Sequence, residues 1–153
     1  MAFFDAFNIS ATGLSAQRLR MDVISQNMAN VNTTRTEDGT PYKRKVAIFQ
    51  EVTGTASPFS YYLNSASGYA GSASDNFSGG VRVSDIVNDE TPGNKVYDTG
   101  HPDADADGYV TMPNVSTVTE MVNMISASRA YEANVTAMNN TKAMIAKTLE
   151  ISR

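Results

Sequence analysis

Cysteine is absent from this chain of 153 residues, and histidine occurs once. Without a thiol there is no disulfide, no thiolate nucleophile and no Cys/His zinc site, and Ser-His-Asp chemistry would rest on His101 alone. His101 stands before Pro102 with no nucleophile or second ligand close in sequence, so it is assigned no catalytic role. The chain therefore reads as a non-enzyme with no catalytic residue and no cofactor. An excess of basic charge is missing too: Lys+Arg 12 against Asp+Glu 16 gives a net charge of −4, which leaves no basic face to displace phosphate counterions from nucleic acid. Continuous apolar runs such as Val46-Ala47-Ile48-Phe49 and Ala143-Met144-Ile145-Ala146 fall far short of the roughly 20 residues that span a bilayer. No basic residue precedes Arg18, so the charged start of a secretory signal is lacking, and any export is expected to use a route without a cleaved signal peptide.

What is present divides by texture into three. Phe7, Leu14, Met21 and Met28 recur every seven residues up to about Val31, with Phe3, Ile24 and Val31 in the companion series, which predicts an amino-terminal helix. Gly13 weakens it by about 1 kcal/mol relative to Ala. A second helix is predicted over 117–149 from Met121, Met124, Tyr131, Val135, Met138, Ile145 and Leu149, with a capping box expected between Thr117 and Glu120. Between the helices the composition turns to Gly, Ser, Asn and β-branched residues. Strands are expected at 46–52 and 81–87, with weaker candidates at 42–49 and 95–98, around a long loop at about 53–80.

The expected fold class is α+β: a paired, coiled-coil-like helical unit from residues 1–34 and 115–153, with a β-rich insertion over 35–114. The two heptad seams most simply bury each other. Phe3, Phe4, Ile9, Val23, Val118 and Val122 are then left on the outside, as an assembly surface or as a face covered by the insertion. Six methionines in the helices, Met21, Met28, Met121, Met124, Met138 and Met144, suit either adaptable contacts or plain core filling. The amides Gln26, Asn27, Asn30, Asn123, Asn134, Asn139 and Asn140 are disfavoured inside helices. A buried one could fix register, exposure is the simpler account for most, and Asn30 and Asn32 could mark the first helix's end.

Two short strings carry possible chemistry. Asp103, Asp105 and Asp107, followed by Gly108, open like a calcium loop, but Asn114 stands where a bidentate Glu should close it. A solvated acidic turn leading into a strand is the favoured reading, and a small calcium-binding module is the alternative function. Lys43-Arg44-Lys45 reads as a lysine-blunted strand edge, or as a surface that pairs with an acidic neighbour.

The segment from Gly13 to Thr36, with Ala29-Asn30-Val31-Asn32-Thr33 at its centre, and the segments 120–135 and 142–151 resemble the two terminal signatures of the bacterial flagellar rod and hook axial proteins. The short chain, the Leu19-Arg20-Met21-Asp22-Val23-Ile24-Ser25 wording and the segment 100–115 are most similar to a proximal-rod subunit of that family. The resemblance covers nearly the whole chain except the loop at about 53–80. It implies a structural subunit that transmits motor torque and lines an export channel through helical self- and hetero-assembly. The implied partners are proximal and distal rod proteins, a rod-to-ring adaptor with the inner-membrane ring, and the type III export apparatus during secretion. It also implies a place in the periplasmic rod. The residues expected to form the assembly interface are the heptad positions named above, from Phe3 to Leu149. Marginal terminal helices are expected to be dynamic in the free subunit and ordered in the rod, which would restrain premature polymerisation.

Overall fold

The computed structural model describes residues 2–52 and 79–151, and side chains from Asp5 onward. Phe3, Phe4 and most of the loop expected at 53–80 therefore lie outside the described side chains and residues. The elements run α1 (Ala2–Ala29), β1 (Lys45–Glu51), β2 (Val81–Asn88), β3 (Lys95–Tyr97), β4 (Tyr109–Thr111) and α2 (Thr117–Ile151). The chain is thus α+β, two terminal helices with small antiparallel strand pairs between them. No helix among the described residues is long and apolar enough to cross a membrane.

Each helix end has a local cause. The amide of Asn30 is shared between the carbonyls of Gln26 and Asn27, both at 3.2 Å, and its side-chain Nδ2 donates to the Gln26 carbonyl at 2.9 Å. Orphan carbonyls of the last turn are satisfied in this way and α1 stops. Thr33 then donates from its amide to the Asn30 carbonyl and from its hydroxyl to Asn30 Oδ1. At the start of α2 the expected Thr117–Glu120 capping box does not form. Ser116 is the cap instead: its carbonyl accepts the Glu120 amide at 2.9 Å, and its hydroxyl accepts a long bond from the Thr119 amide. Glu120 is drawn away because its carboxylate points into the protein. Within both helices Ser10, Ser15, Thr136, Thr141 and Thr148 donate to the carbonyl four residues earlier, which at the buried Ser10 and Thr141 leaves no orphaned donor.

The helices pack antiparallel. Gly13 lies against the Asn134 side chain and Asn27 bonds Glu120, so fourteen residues along one helix match fourteen along the other. Apart from Ile24, the innermost line is small or polar: Ser10, Gly13, Ala16 and Asn27 on α1, and Glu120, Ala127 and Thr141 on α2. This differs from the expected apolar seams. Ile24 is buried; Leu14, Met21, Met28, Val31, Met124, Tyr131, Val135, Met138 and Ile145 are half-buried; Phe7, Met121 and Leu149 are exposed. At Gly13 the Asn134 side chain occupies the space a Cβ would take, its Oδ1 within 2.9 Å, and the larger heptad side chains lie to the flanks.

The ribbon of β1 and β2 lies along α1. Its register slips between Ile48 and Phe49, where Ser84 is the extra residue and its hydroxyl donates to the Ile48 carbonyl at 3.2 Å, a bulge that bends the strand. Val23, expected on the outer surface, is buried because it shares a cleft with Val46, Ala47 and Phe49 of β1. The insertion thus covers part of α1. The second strand pair, β3 with β4, carries Tyr97 and Tyr109 edge to face at 5.3 Å.

Candidate assembly surface and its polar anchor

Where the helices meet the insertion, a polar cluster takes the place of an apolar core. Asn27, only 1% exposed, uses its full hydrogen-bonding capacity. Its Nδ2 donates to the Lys45 carbonyl at 2.8 Å and to Glu120 Oε2 at 3.1 Å, while its Oδ1 accepts from the Lys45 amide and the Tyr42 hydroxyl, both at 2.9 Å. Glu120 is fully buried. Its other oxygen, Oε1, takes the Arg44 guanidinium through Nε at 2.9 Å and Nη2 at 2.7 Å. A buried carboxylate is tolerable only when paired and hydrogen-bonded in this fashion.

The cluster extends into the segments on either side. Asn114 Oδ1 accepts the Arg44 amide at 2.8 Å, and its Nδ2 donates to the Asp89 carbonyl at 3.2 Å; the Asp89 amide donates back to the Arg44 carbonyl. The Thr91 hydroxyl and amide hold the Asp89 carboxyl below its ordinary range, partial burial opposes this, and Arg44 adds a smaller downward contribution. Burial raises the Tyr42 phenol above its ordinary value, and the negative charge of Glu120 raises it further. The Arg44 of the expected strand edge is therefore an internal anchor, whereas Lys43 remains half-exposed against Glu90 at 2.6 Å.

The Ala29-Asn30-Val31-Asn32-Thr33 motif builds this anchor indirectly. Asn30 ends α1 and holds Thr33, and the Thr33 carbonyl accepts the Tyr42 amide at 3.1 Å, which delivers the Tyr42 hydroxyl to Asn27. One residue on, the Thr34 hydroxyl donates to Asp103 at 2.8 Å. The exit from α1 thus ties the helix to the acidic turn as well as to β1.

The outer faces of the helices carry the opposite character. Val118, Met121, Val122 and Ile125 follow helical spacing on α2 and are each more than half exposed, Val122 at 61%. Met144, Leu149 and Ile151 are exposed at the far end of the same helix, and Phe7, Ile9 and Leu19 on α1. Among the described residues only Ala16, Val23, Ile24, Val110, Ala127 and Pro113 have apolar side chains and are buried, a slight core beside so much apolar helix surface.

Comparison with known proteins agrees at both ends of the chain. Residues 7–35 match the family described as "Flagella basal body rod protein", and residues 106–151 match "Flagellar basal body rod FlgEFG protein C-terminal". Over its full length the chain is 47% identical to the flagellar basal-body rod protein FlgC of Bacillus subtilis, covering 100% of both sequences. The chain belongs to the FlgC family. The FlgC of Borreliella burgdorferi is 46% identical, with 99% of this chain and 98% of that protein covered, and the FlgC of Escherichia coli O157:H7 is 40% identical over all of both.

In this FlgC-family chain the acidic turn is architecture. Asp103 faces Thr34, Arg35 at 3.6 Å and His101 at 3.9 Å, and His101 Nδ1 accepts the Asp103 amide at 3.1 Å. Asp105 Oδ1 accepts the Ala106 amide at 3.1 Å, and no metal-holding group of acidic and His side chains occurs among the described residues. Gly108 adopts φ 78°, and a Cβ there would meet the Tyr97 ring at 2.9 Å, so the glycine serves the close packing of β3 on β4. Asn27, Tyr42, Arg44 and Glu120 were not singled out as site residues by periodicity. The available signal was an amide three residues after Ile24, together with the arginine at the centre of a basic triplet that follows a tyrosine.

Proposed function

We propose that the chain is a structural, non-catalytic subunit of the flagellar basal-body rod. The observation that carries this reading is its full-length identity of 40–47% to FlgC rod proteins from three bacteria. The uncovered apolar stripe on α2 supports it, since long helices with an exposed apolar face ordinarily find partners. In finer detail, the subunit belongs to the proximal rod, contacts proximal and distal rod proteins and the rod-to-ring adaptor, and is assembled in the periplasm after type III export without a cleaved signal. Its interface residues are the large heptad side chains that stand on the flanks of the helix pair. Heterologous contacts between such faces propagate into a helical tube that carries torque around an open channel. The polar anchor keeps the insertion fixed to the helices under that load.

Deletion of the gene in the native bacterium tests the reading. The expected result is a non-motile cell with no completed rod, and recovery of the chain in basal bodies purified from the wild type. Intact rods in the deletion strain would refute it.

A further inference from the structure

The cleft between α1 and β1, about 360 Å³ in volume, has apolar walls from Val23, Val46, Ala47 and Phe49 and is lined as well by Arg20 and Lys45. Its one lining carboxylate, Glu120, is already committed: Oε1 takes Arg44 and Oε2 takes Asn27. Ion pairs among the described residues involve Arg35, Lys43, Arg44, His101 and Lys147, which leaves Arg20 and Lys45 without one. Both are half-buried, whereas the other described cations without an ion pair, Arg18, Arg82, Lys95, Arg129 and Lys142, are exposed. The cleft is therefore net positive, in a chain whose net charge is −4, and two partly desolvated cations favour a carboxylate beside them.

A surface of the opposite sign lies on the same chain, at the β3–β4 end. Asp98, Asp105 and Asp107 are exposed and have no cationic partner among the described residues. Tyr97, 65% exposed, and Tyr109, 45% exposed, stand beside them in the chain. Backbone bonds fix the turn before any contact is made: the Asp98 amide donates to the Gly108 carbonyl at 3.0 Å, the Asp105 amide to the Tyr109 carbonyl at 2.8 Å and the Gly108 amide to the Asp105 carbonyl at 2.8 Å. Resting on the rod reading, we infer that the α1–β1 cleft of one copy receives the acidic, tyrosine-flanked turn of a second copy of this chain, a contact made by the insertion and separate from any packing between terminal helices.

The charge arrangement selects this occupant. Copies that each carry net negative charge repel one another over most orientations, so a local match of signs decides which faces meet and in what register. The acidic turn supplies carboxylates for Arg20 and Lys45, and its tyrosine rings suit both the apolar walls and a guanidinium face. The chain does not fill its own cleft. No residue from 95 to 111 lines it, and the turn is tied elsewhere through Asp103, which accepts from the Thr34 hydroxyl at 2.8 Å and faces Arg35 at 3.6 Å. Knob and socket are different surfaces, so the contact is heterologous and extends from copy to copy.

Thiol crosslinking tests the contact cleanly, because the chain has no cysteine. Val46→Cys on the cleft wall and Ala106→Cys between the exposed acids leave every charge in place. Basal bodies from a native strain expressing both single variants, treated with a short bis-maleimide, are expected to yield a dimer of this chain whose linked peptides carry positions 46 and 106. A dimer linked 46 to 46 or 106 to 106 overturns the inference, as does normal incorporation of both variants without the expected dimer, whatever other protein then fills the cleft. Should the cysteine variants fail to incorporate, charge reversal carries the test. Asp105→Lys with Asp107→Lys is expected to lower recovery in basal bodies by about tenfold or more. Adding Arg20→Glu with Lys45→Glu to the same chain is expected to restore most of it, which a folding defect at either site would not do. Normal recovery of the lysine variant, or no restoration, overturns the contact. Absence of the wild-type chain from basal bodies would instead remove the rod reading, and this inference with it.

Discussion

Replacing Arg44 by Met probes the anchor at the partly exposed partner of Glu120. Glu120 has no accessible surface, whereas the Arg44 side chain keeps 23% of its own, and Arg44 has a second carboxylate, Asp89, at 3.7 Å. Without the guanidinium, Glu120 retains the Asn27 amide at 3.1 Å and a long Asn123 contact at 3.5 Å. Breaking a buried pair from one side costs about 3–5 kcal/mol, a large part of the roughly 5–15 kcal/mol that holds a domain folded. Glu120→Gln should cost less, about 1–2 kcal/mol, because the shape is kept and Arg44 can turn to Asp89 and water. The pair Arg44→Met with Glu120→Leu should be more stable than Arg44→Met alone, since no buried charge is left unmatched. Urea unfolding of the dilute subunit followed by far-ultraviolet circular dichroism measures all three. A cost for Arg44→Met below about 1 kcal/mol, or strict additivity in the double variant, would refute the reasoning.

Other outcomes follow from the same geometry. Because the folded state raises the Tyr42 pKa, its contribution is complete below the unfolded value near 10 and is lost as pH rises through the folded value; stability should fall with pH above about 10, and Tyr42→Phe should flatten that slope in urea titrations. Gly13→Ala gains about 1 kcal/mol of helix propensity but displaces Asn134, so it should be near neutral alone and stabilising in an Asn134→Ala background; equal effects in both would contradict the packing. Amide hydrogen exchange in the free subunit should be slowest near Asn27 and Glu120 and fast over residues 137–151, with the fast region slowed in assembled rods. Uniform protection along α2 in the monomer would remove the proposed restraint on premature polymerisation.

The sequence alone determined the elements. Heptad periodicity placed both helices to within a few residues, alternation placed β2, and a β-branched and aromatic stretch bounded by turn residues placed β1, because these are local properties that the residue pattern records directly. The terminal motifs carried the family, since Asn30 and Thr33 act through bonds to near neighbours. Only the tertiary structure decided which faces meet. Periodicity ranks side chains by size and polarity, so it assigned the seam to Met, Leu and Val; in the structure Ser10, Gly13, Ala16 and Ala127 are buried there and most of the large side chains lie on the flanks. The same limit hid the anchor. Asn27, Arg44 and Glu120 are far apart in the chain, polar, and ordinary at the surface. They become a buried lock only when three segments converge and each desolvated group finds its partner, a condition no local pattern encodes.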